Sequence, residues 1–383
     1  MPGKKILVID ADVASQKFVA RHFTDQKDEV IQAGSGKEGL IHAWRDHPDL
    51  VVIDPTIEDI TGEDLARKLK QDPRTANMPL IALSGDPSAA RVKSCLDAGF
   101  NDYIPKSGQA MPRLMETANR LLGEASILTK QGGFLMVFQS AKGGTGTSSI
   151  CANIAMNIGQ NQPEARVVVV DMVLPIGSIA SIVGYEGPQN LVTITDMPAE
   201  SAAPNFFRDA LPLLKSWHFN LIAGSPDPES SNHLKAARIG DIVSGLKESY
   251  DYVLIDIGRS HSRITMPIVL HADLNILIIS TDISTVSITK TVLEYMKGKG
   301  VNPDSIFTIL NRAVGLEGLS KVEAEKVLEI PIKAAVPYLG SNMVLASNQH
   351  RPFSLKFPTD TASIVFQEAA KEMSTLARNL RAG

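Results

Sequence analysis

Cysteine is scarce here. Cys95 and Cys151 are the only two, they stand far apart, and neither has a metal-ligand partner at a recognisable spacing. A disulfide framework is excluded, and a reduced, cytoplasmic protein is the plain reading. The eight histidines are scattered without metal spacing. Long apolar runs are missing too. "VVVV" (167–170) and "ILII" (276–279) are strand-sized, well short of the ~18 residues of a membrane span. The opening "MPGKKILVIDAD" reaches Asp10 after a short apolar run, which reads as a strand and not as a signal peptide. Charge of one sign is never concentrated. Residues 1–125 hold 16 basic and 19 acidic side chains, leaving 22 and 23 for the rest. No basic block marks a nucleic-acid surface.

What is present is the balance of a globular chain, 44% hydrophobic and 21% charged. A length of 383 residues predicts at least two domains. Short apolar runs alternate with amphipathic stretches in both halves. "KILVI" (5–9), "LVVI" (50–53), "LIAL" (80–83) and "DYI" (102–104) read as strands, with helices near 13–25, 36–46, 61–71 and 88–98. Residues 123–132 break the pattern and read as a linker. The alternation restarts with "FLMVFQS" (134–140), a helix from Ser148, "RVVVVD" (166–171), "YDYVLIDIG" (250–258), "LNILIIS" (274–280), "IFTILN" (306–311) and "IKAAVP" (332–337). The fold class is therefore α/β, with two doubly wound parallel-sheet domains over 1–122 and 133–383.

Polar groups collect at the C-terminal ends of the first domain's strands, where such sheets bind ligands. Asp10 and Asp12 follow the first strand, Asp54 the second run, Ser84 the third, and Lys106 closes the set. Together they can hold Mg²⁺ and accept a phosphoryl group on Asp54; wet, polar strand ends are the bland alternative. In the second domain, "SAKGGTGTSS" (140–149) joins a strand to a helix. Gly143, Gly144 and Gly146 let backbone N–H groups wrap around phosphates, and the helix end adds its dipole. Ser148 can ligate Mg²⁺, and Asp256, ending "YVLID", stands where an acid on the metal side belongs. Thr147 occupies the place of a phosphate-binding lysine. That loses one charge-assisted contact of about 1.5–3 kcal/mol and leaves the loop amides in place. His261 and the arginines Arg259 and Arg263 follow in "GRSHSR". The histidine reads as a solvated loop residue, and the arginines can meet phosphates or a partner subunit.

The order "VID…PDLVVID…PLIALSG…AGFNDYIPKS" resembles response-regulator receiver domains, which are flavodoxin-like. The resemblance implies that Asp54 is the phosphoacceptor, Ser84 the switch hydroxyl, Tyr103 the switch aromatic and Lys106 the receiver lysine, in a pocket with Asp10. Receivers carry two adjacent acids after the first strand, and here Ala11 fills the second place. An interaction module on a receiver scaffold is the expectation. "KGGTGTSS" is similar to the deviant Walker A loop of the ParA/MinD P-loop ATPases, which reads KGGxGK followed by two Ser/Thr residues. This resemblance implies that residues 142–149 (Lys142, Gly143, Gly144, Thr145, Gly146, Thr147, Ser148, Ser149) bind ATP. Ser148, Asp256 and Asp171 would lie on the Mg²⁺ side, and Asn311–Arg312 beside the adenine, with "VPY" (336–338) bordering it. Lys142 matches the lysine that crosses an ATP-sandwiched dimer. The family's D-x-D reads Asp171–Met172–Val173 here, which implies slow or absent hydrolysis.

A receiver ahead of such a domain, with a small residue at the second loop lysine, looks like the CpaE/TadZ proteins of Flp (Tad) pilus assembly. That likeness implies an ATP-binding, dimerising localisation factor or scaffold whose partners are itself and pilus or secretion assembly proteins or polar landmark proteins. An active ParA/MinD-like partitioning ATPase, or a response regulator controlled through Asp54, are the alternatives. The C-terminal stripe Val365, Ala369, Met373, Leu376 and Leu380 reads as a helix docked on the domain core, and membrane association is not indicated.

Overall fold

The computed structural model describes residues 4–72, 74–76, 78–127, 132–197, 204–312 and 318–382. The chain divides into two compact units, Met1–Thr129 and Lys130–Gly383. In the first, β1 (Lys5–Ile9), β2 (Glu29–Ala33), β3 (Leu50–Ile53), β4 (Leu80–Ser84) and β5 (Asp102–Pro105) form one parallel sheet in the order β2-β1-β3-β4-β5. Helices α1 (Val13–Thr24), α2 (Gly36–Asp46), α3 (Gly62–Gln71), α4 (Ala89–Asp97) and α5 (Ala110–Ile127) cover it. Separate apolar clusters on the two faces, one around Leu7, Val51 and Leu65 and one around Val8, Phe23 and Leu114, make this a doubly wound layer. α5 carries Leu114, Ala118, Leu121 and Leu122 into that second cluster. The helix therefore runs through Ile127, into the stretch read as a linker. Residues 128–131 of that stretch lie outside the described residues.

The second unit contains β6 (Phe134–Ser140), β7 (Val167–Asp171), β8 (Leu213–Leu214), β9 (Phe219–Ile222), β10 (Tyr252–Gly258), β11 (Leu274–Ser280), β12 (Ile306–Asn311) and β13 (Ala334–Ala335). Their order is β13-β12-β11-β6-β10-β7-β9-β8, all parallel except the β8–β9 pair. Strand β6 lies inside the sheet between β11 and β10, so the loops leaving these three strands emerge side by side. Helix α6 (Thr147–Asn161) follows β6 and is buried almost all round. The long C-terminal helix Thr361–Ala382 packs on α6. Its buried face is Ala362, Phe366, Ala369, Ala370, Met373 and Ala377, shifted from the sequence stripe so that small side chains meet α6; Val365, Leu376 and Leu380 flank it, partly buried. Among the described residues no helix is long and apolar enough to cross a membrane.

Candidate functional site

The loop after β6 owes its shape to glycine. Gly144 and Gly146 take left-handed φ values of 79° and 88°, where a side chain is strained. A Cβ on Gly146 would also lie 2.7 Å from Asn311 Nδ2. Helix α6 begins at the next residue with no side-chain cap, so its first N–H groups are available to an anion. A cavity of about 600 Å³ opens here, lined by the loop from Gly143 to Ser149 together with Val173, Ser178 and Arg259. Thr147 is buried, and its hydroxyl pairs with that of Thr145 at 3.0 Å. The side chain in the lysine place thus spends its hydroxyl within the loop and brings no charge to the cavity. Val173 forms part of the wall with an apolar surface.

Lys142 stands apart from this cavity. Its Nζ donates to Asp282 Oδ1 at 3.2 Å and to Ser284 Oγ at 2.8 Å. Asp282 caps the helix Ile283–Gly298 through the backbone of Thr285. Burial tends to raise its carboxyl, but hydrogen bonds from Ser280, Ser284 and Thr285 prevail and hold it far below the usual range.

The acids behind the loop have different roles. Asp256 is fully buried at the end of β10. Its carboxyl is pushed up to about 7 by burial and by Asp171, against the pull of the Ser148 hydroxyl and the Gly258 N–H. One oxygen, Oδ2, is buried with no hydrogen-bond partner. The Ser148 hydroxyl itself accepts from Ser178 Oγ at 2.7 Å. An orphaned carboxylate oxygen beside a serine hydroxyl is a set that fits Mg²⁺. Asp171 is engaged otherwise. Its Oδ1 accepts from Val173 N at 3.0 Å, and its Oδ2 from Ser178 N and Ile179 N at 2.7 and 2.8 Å. The sequence grouped it with the metal ligands, but here it holds the turn after β7.

A second cavity of about 370 Å³ adjoins the first, sharing Gly146 and Ser149. Asn311, Arg312, Tyr338 and Met343 are among its walls. The two residues expected beside a base, Asn311 and Arg312, thus line one cavity, but the Asn311 amide is spent internally. It donates to Thr145 O at 2.7 Å and accepts from Arg312 N at 2.9 Å.

In the first unit, β1, β3, β4 and β5 bring Asp10, Asp54, Ser84 and Lys106 to one end of the sheet. Lys106 Nζ lies 2.9 Å from Asp10 Oδ2 and 2.6 Å from Asp54 Oδ2. The remaining capacity is used as well. Asp10 accepts from Asp12 N and Ser15 Oγ, and Asp54 from Thr56 N and Oγ1. Burial alone would raise Asp54, but the hydrogen bonds from Lys106 and Thr56 prevail and keep its carboxyl below the ordinary range. Asp12 caps α1 by accepting from Ala14 N and Ser15 N, and so does not replace the acid missing at Ala11. Among the described residues no group of three or more His, Cys, Asp or Glu can hold a metal ion. The pocket does not fit Mg²⁺ as it stands, because Ala11 supplies no second carboxylate and the Asp10 and Asp54 oxygens are already engaged by Lys106, Ser15 and Thr56. Tyr103 is buried, its hydroxyl donating to Asp86 O, and the Ser84 hydroxyl accepts from Asp86 N at 3.2 Å.

His261 departs from expectation. It is half-buried, its Nε2 is 2.8 Å from Gln139 Oε1, and burial lowers its pKa. Gln139 lies 122 residues away, so no local pattern could reveal the pair. Ser178, Gln139 and Asp282 are further contributors that sequence reasoning missed. Only Asp282 carried a signal, as an acid shortly after an apolar strand and at the start of a helix.

Comparison with known proteins finds two kinds of likeness. Residues 6–119 match the family model of the response regulator receiver domain. A two-component response regulator from Oryza sativa subsp. japonica is 28% identical over 118 residues, 30% of this chain and 98% of that protein. The polar-differentiation response regulator DivK of Brucella ovis is 26% identical over 122 residues, 32% of this chain and 98% of its own. By structure, the chain is similar to a ParA family ATPase from Chlorobium tepidum, with TM-score 0.58, 24% identity, and coverage of 62% of this chain and 98% of that one. The septum site-determining protein MinD of Pyrococcus horikoshii, solved with Mg-ADP, gives TM-score 0.56 and 22% identity over 65% and 98%. The first unit is thus similar to receiver domains, and the fold of the second is similar to that of ParA/MinD ATPases.

Proposed function

We propose that the second unit binds ATP with Mg²⁺, dimerises around it, and serves as a localisation scaffold rather than a fast ATPase. The observation that carries this reading is the meeting, at one cavity, of the three-glycine loop and the start of α6, with the buried, partnerless Oδ2 of Asp256 behind Ser148 of its wall. Ser148 and Asp256 would hold the metal, whose contribution is charge neutralisation at the phosphates. Val173 offers no group to orient water, and Thr147 adds no charge. Binding without appreciable turnover follows. The adjoining cavity beside Arg312 and Tyr338 suits a base. A self-pairing surface is supported by the fold likeness and by Lys142, which is exposed at the edge of the loop. The receiver would act as an interaction module, because Lys106 already neutralises its acids. The combination of these two halves with a loop that keeps Lys142 but lacks a second lysine resembles that of CpaE/TadZ proteins, which makes pilus or secretion assembly components, or polar landmarks, the expected partners.

Calorimetry with ATP and Mg²⁺ should give micromolar or weaker binding, and steady-state turnover should stay well below roughly 1 s⁻¹. No detectable heat in the millimolar range would sink the nucleotide reading. Turnover raised by a partner protein would favour an active partitioning ATPase, and Mg²⁺-dependent labelling of Asp54 by acetyl phosphate would favour a phosphorylation-controlled regulator.

A further inference from the structure

The phosphate cavity lacks a lysine at 147, and Lys142 is tied to Asp282 and Ser284. Beside the metal, a side-chain cation would still add a charge-assisted contact to a nucleoside polyphosphate placed there. Among the described residues that line the cavity, Arg259 is the one charged side chain. It is exposed, and its guanidinium makes no hydrogen bond or ion pair with a described residue.

The backbone that carries Arg259 is held firmly. Strand β10 slips register against β6 between Asp256 and Gly258, and such a bulge re-aims the side chains that follow. Gly258 takes φ 58° and donates its N–H to Asp256 Oδ1 at 2.9 Å. Ser260 N donates to Ile257 O at 3.0 Å. Beyond Arg259, a buried chain anchors the segment. Asn275 Nδ2 donates to Val269 O at 3.0 Å, which leaves Asn275 Oδ1 to accept from Gln139 Nε2 at 3.0 Å. Gln139 Oε1 is then the acceptor for His261 Nε2, at 2.8 Å. Gln139 immediately precedes Ser140, where the glycine loop departs. The Arg259 backbone is thus pinned on both sides to the strands that carry the loop, while its side chain stays unpaired at the cavity wall.

We infer that Arg259 is the phosphate-binding cation of this site, supplying from the loop after β10 the charge that Thr147 lacks. The inference rests on the nucleotide reading above and narrows it to ligands with two or more phosphates. An arginine fork bonds two phosphate oxygens at once, beside the loop amides and the start of α6. His261 acts through the backbone as a positioning residue.

The test is calorimetry on the full chain with Mg²⁺, using ATP and adenosine as separate probes. Arg259→Ala should weaken ATP binding about ten- to a hundredfold, which is about 1.4–2.8 kcal/mol at 1.4 kcal/mol per tenfold. Adenosine binding should be unchanged. Arg259→Lys should keep part of the ATP affinity, and adding Thr147→Lys to Arg259→Ala should recover it. If wild type binds neither probe, the nucleotide reading fails and takes this assignment with it. If wild type binds ATP and Arg259→Ala binds it equally well, only the assignment falls. Equal loss of ATP and adenosine would reduce Arg259 to a structural role. Normal ATP binding with lost ATP-dependent dimerisation would place its action on the partner subunit. Either result overturns the inference.

Discussion

Replacing Lys106 by Ala tests whether its ammonium group substitutes for a metal in the first unit. The two carboxylates it bridges are nearly buried, and the lysine side chain is 30% exposed. Removing one partner of a buried pair costs about 3–5 kcal/mol. Water entering through the vacated space lowers that, so the expected loss near neutral pH is about 2–3 kcal/mol. The pH dependence has a definite sign. Asp54 is depressed in the folded wild type, so its ionised form contributes stability above the unfolded pKa, and this is lost as pH falls through the folded one. Without Lys106, burial weighs more heavily on Asp54 and raises its carboxyl, so the variant gains stability on acidification. The difference between the two proteins should therefore narrow as pH drops below about 4. Trp44 and Trp217 are the only tryptophans, so a Trp217→Phe background leaves Trp44, beneath the Arg74 guanidinium at 5.8 Å, as reporter of urea unfolding in the first unit. Millimolar Mg²⁺ should stabilise the variant, whose cation place is vacant, and leave wild type unmoved. A loss below about 0.5 kcal/mol, the range of ordinary surface changes, would refute the reasoning, as would stabilisation of wild type by Mg²⁺.

Two shorter predictions concern the second unit. Gly146→Ala meets both a left-handed φ and the Asn311 amide at 2.7 Å, so thermal unfolding should show a loss of about 1–3 kcal/mol together with abolished ATP binding in calorimetry; normal affinity would mean that the loop is not built around this contact. Lys142→Ala should leave ATP binding to the monomer nearly intact, since Lys142 does not line the cavity, but should weaken the ATP-dependent dimer in sedimentation velocity, and equal dimerisation of both proteins would exclude a sandwich held by this lysine.

The sequence showed the elements whose residues are buried on both sides. β1, β3, β6, β11 and β12 are predominantly apolar because parallel strands between two helix layers meet little water. β2, at the sheet edge, is mostly exposed or half-buried over Glu29–Ala33, and so carried no such run. "IKAAVP" looked like a full strand, yet pairs only through Ala334 and Ala335, since pairing at an edge depends on the neighbour as much as on composition. At the site, the loop glycines, Ser148 and Asp256 were legible because the chemistry is local to two strand ends. The engagement of Asp171 by three backbone amides, of Lys142 by Asp282 and of His261 by Gln139 was not, because each depends on a turn or on a partner distant in the chain.

The Asn311 amide has a thermodynamic consequence. It belongs to the wall of the base-sized cavity, yet its hydrogen bond to Thr145 O clamps the loop that surrounds the phosphate-sized one. A purine that recruits this amide must draw it from the loop, and a loop that tightens on phosphates must keep it. The affinities for a nucleoside and for a polyphosphate therefore do not add when the two are joined; a coupling free energy, readable by comparing ATP with its separate halves, is built into one side chain.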